Sequence, residues 1–233
     1  MGKIKNWTLK NFWNGYTTFE KLFLLCMVIL QIGVFVVCPD SPLNIIAGLA
    51  GVVSVVMCAK GRTMFYFMGF IQTITYLILS YQNRFYGEVL ENLFYFVTMI
   101  WGIVVWKKNE VTNGDGTQDV IAKKFTPSQW ILSIVGTIIA TVVMGIWLDN
   151  IGSAQAYTDA ATNVMAVFAQ LLMVKRYREQ WIWWFVIDVF CIKLWIVAGN
   201  WSMVAMYIAW TANTIYGFVN WSKLNKTQAS MVC

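Results

Sequence analysis

Apolar residues run through this chain in stretches of roughly 17–21, and a helix needs about 20 of them to cross a hydrocarbon core about 30 Å thick. Eight stretches qualify, at about 20–38, 43–60, 63–81, 88–106, 128–148, 159–175, 180–198 and 202–221. The segments between them alternate in charge. Lysine and arginine collect at the N-terminus (Lys3, Lys5, Lys10, Lys21), at Lys60/Arg62, at Lys107/Lys108 with Lys123/Lys124, at Lys175/Arg176/Arg178 and at Lys223/Lys226. The intervening "CPDSP", "YQNRFYGE", "DNIGSAQAYTD" and "AGNWS" carry few positives and several acids. By the positive-inside rule both termini and the polar linker "NEVTNGDGTQDV" are expected on the cytoplasmic side.

The chain also repeats itself. "GIVVWKK" at 102–108 returns as "GFVNWSK" at 217–223, 115 positions later, and the same offset lays Lys60 over Lys175 and the run 43–108 over 158–223. Each unit holds three spans, and the single span at 128–148 restores orientation for the second. The expected fold is all-α and membrane-integral, two parallel three-helix bundles joined by an inverter helix, with an extra N-terminal transmembrane helix. Its parts are 1–42 (an amphipathic segment over 5–16 with Trp7, Phe12 and Trp13 in the interface, then a span), 43–108, 109–157, 158–223 and a tail over 224–233. Parallel repeats about an axis along the membrane normal are a transporter architecture, with substrate held near the midplane at the repeat interface.

Composition agrees with this class: 59% of residues are apolar, 12% charged, and mean hydropathy is +0.60. The net charge of +6 then reads as topology rather than as a nucleic-acid surface. Histidine is absent, which removes Ser-His-Asp and Cys-His catalysis and the commonest metal ligand. The five cysteines form no C-x-x-C pair, so neither a disulfide framework nor a zinc site is expected, and no cofactor is. No cluster with catalytic spacing points to an enzyme, and nothing resembles the filter of a channel.

Polar groups at membrane depth are costly and face a bundle interior or a wet cavity. Asp188, eight residues into its span, should lie about 12 Å deep at 1.5 Å per residue. Asn213, Gln72, Thr73, Thr98 and Gln170 fall in the same layer, with Asn92, Glu91 and Tyr95 nearer the outer side. Trp181, Trp184 and Asp188 share one helical face at i, i+3 and i+7, and Asn92/Tyr95 and Trp210/Asn213 are i, i+3 pairs. Candidate binding residues are therefore Gln72, Asn92, Tyr95, Thr98, Trp181, Trp184, Asp188, Trp210 and Asn213. The indoles can stack on a flat ring, a cationic ring gains about 0.5–2 kcal/mol more, and Asp188 can act as counter-ion. Trp183 is expected in the interfacial belt, and Gly48, Gly51, Gly69, Gly102 and Gly217 at close helix contacts.

"KRYREQWIWWFVID" with its W-x-x-W-x-x-x-D, "YGEVLENLFYF" and the repeated G-x-x-x-W-x-K resemble the PnuC family of bacterial nicotinamide riboside transporters over nearly the whole chain. That family shows Asn or Asp at the position of Asp188, and some members have Gln where this chain has Asn92. The resemblance implies a full-length relative of the SWEET fold in the bacterial inner membrane. It also implies facilitated diffusion of nicotinamide riboside, with trapping by a separate cytosolic riboside kinase. The absence of a G-x-x-x-x-G-K-[ST] loop agrees with this. Another flat vitamin, thiamine or the neutral and larger riboflavin, is the alternative cargo, and a sugar carrier a further one. Homo-oligomer formation stays open.

Overall fold

The computed structural model describes residues 14–37, 41–84, 86–112, 117–153, 155–197, 199 and 201–229. Among these the eight expected spans are eight helices: α1 (Thr18–Val37), α2 (Pro42–Lys60), α3 (Phe65–Gln82), α4 (Tyr86–Lys107), α5 (Pro127–Asn150), α6 (Ala156–Val174), α7 (Gln180–Val197) and α8 (Trp201–Ala229). By length and composition α1, α2, α5, α7 and the Gly87–Lys107 part of α4 are fit to cross a membrane. The other three carry polar residues inward, among them Thr73 and Thr75 on α3, Gln170 on α6, and Asn213 and Thr214 on α8. The interfacial helix expected over 5–16 lies, as far as residue 13, outside the described residues, and Asn14 and Gly15 form a turn.

The linker holds one element the sequence did not suggest, a hairpin of β1 (Glu110–Thr112) and β2 (Gln118–Val120) with Glu110 opposite Val120. Strands this short depend on outside partners. The Val120 N–H donates to the Gly61 carbonyl, and the Lys123 N–H to that of Arg176.

Helices α2, α3 and α4 pack together, as do α6, α7 and α8; between the bundles α4 lies on α6 and α8 on α2. Helix α1 lies along α2, and α5 along α6. Both flanking helices begin with the same reciprocal cap. The Thr17 N–H donates to Glu20 and the Glu20 N–H to the Thr17 hydroxyl, while Thr126 and Gln129 repeat the exchange ahead of α5.

The 115-residue offset is legible in single hydrogen bonds. At the end of α2, the Gly61 N–H donates to Cys58 and the Arg62 N–H to Met57; at the end of α6, Arg176 donates to Met173 and Tyr177 to Leu172. Gly61 (φ +83°) and Arg176 (φ +67°) both take the left-handed conformation that closes such a cap. On the other face Arg84 (φ +61°) matches Gly199 (φ +70°). Arg176 holds its costly conformation with its side chain engaged, donating to the Ile121 carbonyl at 3.0 Å, and burial lowers its pKa from the usual arginine range.

Glu20 ties α1 to both bundles. Its buried carboxylate accepts from Lys60 Nζ at 2.7 and 2.9 Å and from the Tyr216 hydroxyl. Glu20→Gln strands the ammonium and is expected to cost about 1–2 kcal/mol, less than a fully buried ion pair because Lys60, at the end of α2, keeps part of its side chain exposed. A lowered thermal midpoint in detergent, largely restored in the Glu20→Gln/Lys60→Met double variant, is the check.

Candidate functional site

At mid-depth the two bundles meet through polar side chains. Asp188 on α7 is 4% exposed, and the hydroxyl of Thr214 on α8 lies 3.5 Å from its Oδ2. That hydroxyl has one proton, and the Thr211 carbonyl is nearer, at 2.8 Å. The carboxylate is therefore poorly satisfied, although burying one without several partners is expensive. Beside Thr214, Asn213 crosses to the other bundle, its Nδ2 3.5 Å from the Val55 carbonyl of α2. Its Oδ1 is buried with no partner among the described residues.

The matching positions of the other half carry different chemistry. Thr73 stands where Asp188 does, and its hydroxyl meets the Met99 sulfur at 3.6 Å, as Thr214 meets Asp188. Thr98 stands where Asn213 does and accepts from Gln170 Nε2 at 3.0 Å, again across the bundle interface. A two-fold frame thus presents an acid and an amide on one side and hydroxyls and a thioether on the other. Such a frame suits a ligand with two unlike ends.

The remaining candidates divide. Gln72 fills the notch of Gly51, where a Cβ would come within 2.9 Å of its amide. Asn92 is buried and gives its amide proton to the Glu88 carbonyl, and the Tyr95 hydroxyl donates to Glu91 at 2.7 Å. This pair lies toward the face away from the linker. Trp184 is half-buried and packs on two clusters, the one both bundles share around Trp106 and Trp221 and the one around Phe125 and Trp183 within the second half. Trp210 packs near Leu24, Met27, Val52 and Val56, edge-on to Tyr207 at 5.5 Å, with its indole N–H unpartnered among the described residues.

Two tryptophans sit elsewhere than their sequence positions suggest. Trp181 belongs to the packed core near the linker, seated against Gly217 and edge-on to Trp221 at 6.0 Å, about 10 Å along α7 from Asp188. Trp183 is not a belt residue: it is buried between α6 and α7, edge-on to Phe168 at 5.3 Å. Gln170, Thr73 and Thr214 join the layer without being among the nine candidates. Depth along the spans already places Thr73 and Gln170 in it; Thr214 is the addition, and the repeat offset is the signal that finds it, since 73 and 188, 98 and 213, and 99 and 214 are pairs.

A trough of about 1,420 Å³ runs along the flank between α4, α5 and α6, lined by groups such as Leu132, Gly136, Val164 and Phe168. A smaller one lies on α5 beside it, and none of the nine candidate residues lines either.

A protein-family model described as "Nicotinamide mononucleotide transporter" matches residues 41–223. The chain is 37% identical to the nicotinamide riboside transporter PnuC of Neisseria mucosa, over 97% of this chain and 89% of that protein. Against the protein of the same name from Haemophilus influenzae it is 36% identical, over 93% and 95%. A crystal structure titled "Crystal structure of the Vitamin B3 transporter PnuC" superposes with a TM-score of 0.81 at 35% identity, covering 95% of this chain and 99% of that one.

Proposed function

Because the chain belongs to the PnuC family of nicotinamide riboside transporters, we propose that it carries nicotinamide riboside across the membrane, bound between the two bundles at the depth of Asp188. The observation that carries this is the pair of buried, under-satisfied polar groups, the Asp188 carboxylate and the Asn213 Oδ1. A cationic pyridinium supplies the charge Asp188 lacks, and its carboxamide supplies a donor for Asn213. Trp184 and Trp210 wall the ring, where cation–π attraction adds about 0.5–2 kcal/mol. Thr98, with Gln72, Asn92 and Tyr95, takes the ribose from the first bundle. Trp181 shapes the pocket floor without touching the ligand.

The matching family model is described by the mononucleotide, and charge decides between the two forms. A phosphate at this depth would face Asp188, while Lys193, the basic residue of α7, is exposed. Like charges at short range in low dielectric repel strongly, so the riboside fits and the mononucleotide does not.

Rocking of one bundle against the other would alternate access, with no site for nucleotide hydrolysis in use. The basic linker face would be cytoplasmic, in a bacterial inner membrane, where a separate kinase traps the riboside. Titration calorimetry on the purified protein tests the cargo. Nicotinamide riboside is expected to bind, and excess mononucleotide or thiamine to leave its isotherm unchanged. Tighter binding of thiamine would overturn the assignment.

A further inference from the structure

The repeated G-x-x-x-W-x-K motif has no part in the site above, yet it builds a buried, reciprocal contact between the bundles. The Trp106 indole N–H on α4 donates to the Met173 carbonyl of α6 at 3.0 Å, and the Trp221 indole N–H on α8 donates to the Cys58 carbonyl of α2 at 3.0 Å. Each bond therefore leaves one bundle and ends on the other, and the two are images of each other under the 115-residue offset. Both indoles are fully buried, and their rings meet edge to face at 5.5 Å on the pseudo-two-fold axis. The glycines of the motif make room for this. Gly102 receives the ring of Tyr66 and Gly217 the ring of Trp181, and these rings in turn stand edge-on to Trp106 and Trp221.

The linker fastens the same place from outside. Val120 and Lys123 hold the two equivalent loops through Gly61 and Arg176, Arg62 pairs with Asp119 at 2.9 Å, and Asn220 on α8 donates to the Ala59 carbonyl of α2 at 3.0 Å.

We propose that Trp106 and Trp221 are the gate of the linker face, a reciprocal clasp whose two cross-bundle N–H bonds must part together before a ligand leaves on that side. This rests on the reading of the chain as a carrier that alternates access. Opening separates both indoles from their carbonyls at once, because each bundle is both donor and acceptor. A single missing bond therefore loosens the whole gate, including the half it does not touch. The carbonyls left behind stay satisfied, since the Gly61 and Arg176 N–H groups also donate to Cys58 and Met173. Trp→Phe thus removes a gate bond without stranding a buried acceptor.

Cys58 is a native reporter, buried directly beside the clasp. In a chain with the other four cysteines replaced by serine, set in lipid nanodiscs, the labelling rate of Cys58 by a membrane-impermeant maleimide measures opening and requires no substrate. Trp221→Phe alters the neighbourhood of Cys58 itself, so Trp106→Phe, whose lost bond ends at Met173, is the decisive variant. One net hydrogen bond is worth about fivefold in the open population, so labelling is expected to rise about fivefold in Trp106→Phe and about 25-fold in the double variant. Ala169→Cys, within the second bundle and fully buried, separates a gate from general loosening. Its labelling is expected to stay flat in the Trp106→Phe background. Unchanged Cys58 labelling, or a parallel rise at position 169, would overturn the gate. Neither result bears on which ligand binds, which the calorimetry decides separately.

Discussion

Asp188→Ala is expected to weaken nicotinamide riboside binding by about 30-fold or more, while the protein inserts and folds as well as before. Truncating one partner of a buried charged hydrogen bond costs about 2 kcal/mol or more, and a factor of ten is about 1.4 kcal/mol. Stability should not fall, because among the described residues the carboxylate is buried with one distant hydroxyl as partner, and removing an under-satisfied buried charge is neutral or stabilising. Asp188→Asn divides the contribution. The amide keeps a hydrogen-bonding edge and loses the charge, so binding between that of alanine and the native chain measures the counter-ion part. Binding titrations with thermal melts on the same samples check both halves. An alanine variant that binds normally, or one that unfolds, contradicts the assignment.

The second large effect lies in the glycines under the tryptophan clasp. In Gly217→Ala the new methyl would stand 2.5–2.8 Å from three ring atoms of Trp181. No flexible side-chain end can yield there, because that indole is itself packed against Trp221. Overpacking usually costs about 1–3 kcal/mol, and this site belongs at the upper end, about 3 kcal/mol. The expected result is a sharp loss of folded protein in detergent. Gly217→Ala combined with Trp181→Ala should lose less than the sum of the single variants, since the clash is gone and the pair is in contact. Gly136→Ala is the control: beyond the backbone of its own helix nothing described lies within 4 Å of its Cβ, and its effect should stay within about 0.5 kcal/mol.

Much of the fold was legible because the bilayer writes it in a coarse alphabet. Runs of about 20 apolar residues and alternating basic loops marked all eight helices, seven of them within a few positions and the last, expected to stop near 221, running on to Ala229 through polar residues, and the recurring Gly/Trp/Lys pattern marked the two halves. Asp188 and Asn213 stood out because polar atoms in hydrocarbon need a reason. The pairing of helix faces was not legible. Trp181 and Trp183 differ by two positions and so point different ways from α7, but nothing in the sequence says that one meets Gly217 and the other Phe168. Both are packed inside, one read as a pocket wall and the other as a belt. The short hairpin of β1 and β2 was equally hidden, since what holds it is a loop carbonyl far away in the chain, that of Gly61 for the Val120 N–H. Thr214 was lost among the hydroxyls that helices commonly carry.

A structure determined with nicotinamide riboside bound is the most direct measurement. The pyridinium is predicted between Trp184 and Trp210 at mid-depth, with Asp188 and Asn213 within hydrogen-bond reach and the ribose toward Thr98. Ligand density in the trough between α4, α5 and α6, or a pocket from which Asp188 and Asn213 both turn away, would contradict it.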